Sequence, residues 1–157
     1  MSDLFLTTVL TLDASVRVCV PLIFASMAGL FAERSGVVDI GLEGKLLMSA
    51  FIAASVASVF GSPWLGLIAG MFASSVLAMI HGFASITYKG NQIVSGVAIN
   101  ILASGLTMIL TLAWFKSGGI TPTLQGNERF LSISLPGVDI IDHIPILGVI
   151  YRELISG

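Results

Sequence analysis

Apolar residues run almost unbroken along much of this chain, and the charged residues fall in the gaps between the runs. No Asp, Glu, Lys or Arg occurs between Lys45 and Lys89, nor between Lys89 and Lys116. Stretches of that size match a bilayer, because a spanning helix needs about 20 apolar residues at about 1.5 Å rise each. They also lack the polar face that a helix on the surface of a water-soluble domain carries. The pattern predicts an all-α, polytopic membrane helix bundle.

Residues 4–12 are apolar with threonines, too short to span, and read as an interfacial lead-in helix. Span A follows over residues 16–32, with Pro21 in its first turns, where a missing N–H costs least. Residues 33–45, ERSGVVDIGLEGK, hold five charged residues and three glycines. That composition excludes an uninterrupted lipid-facing helix and predicts a broken or re-entrant one. Span B (46–60) and span C (64–88) form a helical hairpin over the turn Gly61-Ser62-Pro63, and span D (93–115) follows a polar turn at 88–92. Residues 116–143, rich in Gly, Pro, Ser and Thr, read as an extramembrane loop. Apolar residues resume at 144–151 without room for a full span, so the chain reads as the first half of a longer membrane domain.

Composition sharpens this picture. Only 10% of the residues are charged and 55% are hydrophobic, against roughly 25% charged in soluble domains. The net charge of −2 and the lack of any basic run exclude a nucleic-acid partner. Cys19 is the single cysteine, which excludes an internal disulfide or thiolate metal site; its apolar surroundings suggest a packing role. The N-terminus through Asp13 carries acids and no base, unlike a secretory signal, so the first segment is read as retained. Arg34, Lys45 and Lys89 fall on one side of the predicted spans and Arg17, Lys116 and Arg129 on the other, so the positive-inside rule is balanced.

Small residues recur at every fourth position of span C (Gly66, Gly70, Ser74, Ala78, Gly82) and of span D (Gly96, Asn100, Ser104). Helices in lipid associate by close backbone approach, so these stripes are read as helix-packing faces, with spans C and D meeting through Gly66, Gly70, Ser74 and Gly96. Asn100 sits mid-span, where an amide needs a partner; an interhelical hydrogen bond and a substrate contact both fit. His81 reads as a satisfied polar residue near the interface, and with His143 as the only other histidine no metal cluster is expected. No catalytic motif is present: there is no GxSxG, no phosphate-binding loop and no HExxH. No enzyme activity or cofactor is therefore expected.

Non-helical backbone at membrane depth is tolerated where it is buried in protein or lines a water-filled cavity. On that ground Asp39, Gly41, Glu43, Gly44 and Asn100 are candidates for a substrate pathway, against the plainer reading of residues 33–45 as a charged surface loop. Glu43, between two glycines, is the focal side chain; it either meets a ligand hydroxyl or accepts backbone N–H bonds that hold the break in shape. Free N–H groups at the start of span B are a further candidate contact.

Two segments, FAERSGVVDIGLEGKLLMSAFIAA (31–54) and GNQIVSGVAINILASGLT (90–107), together with GSPWLG (61–66), resemble permease subunits of bacterial ABC importers. The branch is that for nucleosides and simple sugars, within the wider branched-chain amino acid and ribose permease family. Asp39 stands where that family usually has Asn, and Lys45 where it has Gln or Met; the added acid and base suit a pair. The resemblance implies that residues 1–157 are the N-terminal half of a permease domain in the cell membrane. It implies as partners a second permease subunit, cytoplasmic ATP-binding subunits that hydrolyse ATP, and an extracytoplasmic substrate-binding protein. Two readings from other classes are a non-transporting membrane scaffold and one half of a secondary transporter.

Overall fold

The computed structural model describes residues 2–130, with no strand among them. Residues 131–157 lie outside the described residues, and with them most of the predicted loop beyond Phe130 and the apolar stretch at 144–151. Helix α1 is Ser2–Arg34, α2 Leu42–Phe60, α3 Pro63–Gly82 with a wider π-helical turn Phe83–Thr87 at its end, and α4 Gln92–Phe115. Among the described residues, four helical segments are long and apolar enough to cross a membrane. The chain divides into two compact units, Met1–Phe24 with Leu131–Gly157, and Ala25–Phe130. The first is described only through its part of α1; the second holds α2, α3 and α4.

The separate lead-in helix and span A are corrected to one helix. No Gly or Pro occurs before Pro21, so the isolated charges Asp13 and Arg17 interrupt the apolar pattern without ending the helix. Pro21 is accordingly in a helix interior, where it contributes no N–H to the ladder. Cys19 is exposed on this helix, so the packing role expected for it does not hold.

The break is confined to residues 35–41; Glu33 and Arg34 finish α1, and Glu43 and Lys45 are already in the first turn of α2. Its geometry follows from two glycines. Gly36 takes φ +83°, and the N–H groups of Gly36 and Val37 donate to the carbonyls of Glu33 and Ala32 at 3.0 Å each, the pairing of a Schellman stop. Gly41 then begins α2 without a side chain of its own to cap it.

Helices α2 and α3 are joined by Gly61, which takes φ +64°, and by Ser62 ahead of Pro63 in the first helical position. So short a link forces antiparallel neighbours. A Cβ added at Gly66 would lie 2.6 Å from the Ala53 carbonyl oxygen, and one at Gly70 would lie 2.8 Å from that of Ser49. The small-residue stripe of α3 therefore packs on α2, not on α4 as its spacing suggested, and it ends early, since Gly82 has nothing within 4 Å. A stripe defines a face; the hairpin decides which helix meets it. We expect Gly70→Leu to abolish detergent-resistant assembly of the folded protein. Trimming the 63% exposed Ile68 to Ala should leave assembly intact. Equal behaviour of the two on native gels would contradict this packing.

Met48, Phe51, Leu77, Ile99 and Ala103 form the core between α2, α3 and α4. Outward-facing positions are as apolar as this core: Phe72 and Ile101 are 72% and 68% exposed. That distribution suits lipid, where apolar surface need not be hidden and helix association relies on close packing and hydrogen bonds.

Candidate functional site

The broken segment is fastened to α2 and α4. Residues 92, 96 and 100 lie in one row on α4, at helical spacing of four. Gln92 Oε1 accepts from the Val38 N–H at 2.7 Å, and Asn100 Nδ2 donates to the Ile40 carbonyl at 3.1 Å. Between them, Gly96 admits the backbone itself: a Cβ there would lie 2.9 Å from the Gly41 nitrogen. Gly96 thus packs on the break and not on a helix, which corrects its expected role.

Asn100 also caps α2 from another helix, with Oδ1 accepting the Gly44 N–H at 2.7 Å. The two chains can approach this closely only because residue 44 lacks a side chain; a Cβ would lie 2.8 Å from Asn100 Cα. Both ends of the Asn100 amide thus bond backbone groups, which agrees with the interhelical-bond reading. The N–H of Gly41 is taken in turn by Asp39 Oδ1 at 3.1 Å. The Gly41 and Gly44 N–H groups at the start of α2 are thus engaged internally and not offered to a ligand.

Asp39 carries the charge chemistry of the break. Its Oδ2 accepts from the Lys45 ammonium, and both side chains are nearly buried. Such a contact between residues six apart needs the turn at Ile40 and Gly41; an unbroken helix would separate them. His81, 2% exposed near the end of α3, places Nε2 3.8 Å from Asp39 Oδ1 and Nδ1 3.1 Å from Ser95 Oγ. Among the described residues its Nε2 has no hydrogen-bond partner. The expectation of a satisfied histidine therefore holds for one ring nitrogen only.

Glu43 does not hold the break in shape. It is exposed, and among the described residues no group bonds its carboxylate. Helical spacing instead puts Glu43 on the same face of α2 as Leu47, Ala50 and Ala54. Those three line a groove of about 510 Å³ between α2 and α4, whose α4 wall is Ser104, Thr107 and Thr111 and whose far end is Thr121. The groove begins about one turn beyond the Gly44–Asn100 contact. Phe51, also on its lining, stacks on Trp114 with ring centres 5.9 Å apart.

Sequence reading missed Gln92, the His81–Ser95 contact and the hydroxyl wall of α4. The spacing 92, 96, 100 was a usable signal for the first; Thr107 and Thr111, four apart in an otherwise apolar span, were one for the last.

Comparison with known proteins agrees with this architecture. Residues 11–138 match the family described as the branched-chain amino acid transport system permease component. The guanosine ABC transporter permease protein NupQ of Bacillus subtilis is 38% identical over 144 residues, 88% of this chain and 43% of that protein. The nucleoside ABC transporter permease protein NupC of Lactococcus lactis is 33% identical over 137 residues, 83% of this chain and 41% of that protein. The chain thus spans roughly two-fifths of the length of these relatives. No solved structure matches it. With a family match over most of its length and apolar helices that suit a bilayer, the chain belongs to the branched-chain amino acid transport permease family and is an integral, multi-pass membrane protein.

Proposed function

We propose that this chain forms the N-terminal half of the permease subunit of an ATP-driven importer for a nucleoside or simple sugar. A second permease subunit completes the path, cytoplasmic subunits hydrolyse ATP, and an extracytoplasmic binding protein delivers the ligand. The relatives' own substrates and the family support this reading. The observation that carries it is the groove between α2 and α4, with an exposed carboxylate at the end where the helix breaks.

In this reading Glu43 faces the translocation path. Asp39, Gly41, Gly44 and Asn100 act indirectly, by holding the α2 N-terminus against α4. ATP-driven closure of the partner subunits shifts the permease pair between inward-open and outward-open states, through differential nucleotide binding to the two. A scaffold role would need neither a lined groove nor a free carboxylate at its end.

Cysteine labelling tests the assignment. In the assembled importer with Cys19 replaced by Ser, a cysteine at position 43 should react with a small water-soluble thiol reagent and be protected by guanosine or by a trapped ATPase state. Labelling indifferent to both would return this segment to the surface.

A further inference from the structure

The α4 wall of the groove has one hydrogen-bonding polarity. Ser104 Oγ donates to the Ile101 carbonyl at 2.9 Å, Thr107 Oγ1 to that of Ser104 at 3.1 Å and Thr111 Oγ1 to that of Thr107 at 2.6 Å. A hydroxyl has one proton and two lone pairs. With each proton committed to the helix's own backbone, this wall presents oxygen lone pairs to the groove and no donors. The opposite wall, Leu47, Ala50 and Ala54, is apolar and small. Among the described residues no ionisable side chain lines the groove, and the Glu43 carboxylate, on the same face of α2 one turn before Leu47, is itself an acceptor. The Lys45 ammonium is turned away to Asp39.

We infer that Thr107 and Thr111 are specificity-determining residues, which select an uncharged ligand through its hydrogen-bond donors. The inference rests on the transport reading above and names what that path recognises. A nucleoside meets the requirement, since its sugar hydroxyls and base N–H groups are donors and it carries no charge. A phosphorylated form does not, because its anion would meet the lone pairs of the α4 wall and a carboxylate, with no cation among the described lining residues to offset its desolvation. The volume suits a ligand of this size, since small-molecule sites occupy about 300–1,000 Å³.

The experiment is a ligand-by-mutant cycle in the complete importer, with uptake of guanosine and of its 2′-, 3′- and 5′-deoxy analogues measured for wild type, Thr107→Val and Thr107→Ser. Valine keeps the shape and removes the acceptor; serine restores it. Any preference set by the binding protein is common to all three, so only a change in the ratio reports on the groove. Thr107→Val should reduce the preference for guanosine over at least one deoxy analogue by about threefold to tenfold, the range of one hydrogen bond. Thr107→Ser should keep the wild-type preference. Should Thr107→Val fail to reach the membrane, Thr111→Val, on the same wall, is expected to give the same shift. Guanosine uptake with ratios unchanged in the valine variants, or lowered equally for every ligand, overturns the inference and leaves the transport function standing. A wild-type importer that carries a simple sugar and none of these ligands overturns the inference alone; one that carries neither overturns both.

Discussion

Replacing Asp39 by Asn will sharply lower the amount of folded protein in membranes, as will Lys45→Gln, whereas the double replacement will recover most of it. Each single change leaves the other charge nearly buried without its partner. Breaking a buried pair from one side costs about 3–5 kcal/mol, while replacing both charges by neutral groups of similar shape is often close to neutral. His81 offers no substitute: its Nε2 is 3.8 Å from Asp39 Oδ1, beyond a hydrogen bond. Asn at position 39 can still accept the Gly41 N–H that starts α2, so the local turn survives in the double variant. Monodisperse protein after detergent extraction, measured for the complete permease, checks this. Additive losses in the double variant would mean that the two side chains act separately.

Gly44→Ala will have an effect of comparable size, while Gly82→Ala will be silent. The Cβ added at 44 would meet Asn100 Cα at 2.8 Å and the Ile99 carbonyl oxygen at 2.9 Å. Both are backbone atoms, so no rotamer change relieves the contact and α2 must move off α4. Overpacking of this kind costs about 1–3 kcal/mol, and the displaced Gly44 N–H also leaves Asn100, so the cap of α2 goes with the packing. At Gly82 the same methyl meets nothing within 4 Å. Thermal unfolding of the purified importer should show a lowered midpoint for Gly44→Ala alone. A stable Gly44→Ala protein would contradict the close approach of α2 and α4.

Much of the fold was written in the order of apolar and polar residues. Spans B, C and D end within a few residues of α2, α3 with its π-helical turn, and α4, because charge-free runs bounded by Gly, Pro and Asn leave the backbone little choice but helix in lipid. The break was legible too, since Gly36, Gly41 and Gly44 punctuate a stretch whose five charged residues no lipid-facing helix accommodates. Its length was overestimated: charge was taken as the mark of non-helical chain, yet Glu33, Glu43 and Lys45 are helical residues at helix ends, where Glu43 suits the N-terminal dipole of α2 and Lys45 is paired with Asp39.

What the linear order could not contain was partnership. The stripe on α3 named a contact face, but the hairpin turn assigned it to α2. Asn100 was recognisable as an amide that needed partners, and only the fold supplies them, in the Gly44 N–H and the Ile40 carbonyl, more than fifty positions earlier in the chain. Glu43 and Asp39 are both acids within two residues of Gly41, and nothing in their spacing ranks one above the other. Tertiary structure separates them, because the turn at Ile40 and Gly41 folds Asp39 inward to Lys45 and His81, while the helical phase of α2 carries Glu43 round to the face of the groove. Sequence determines which residues must be helical and which must find partners; the packing of helices remote in sequence decides who those partners are.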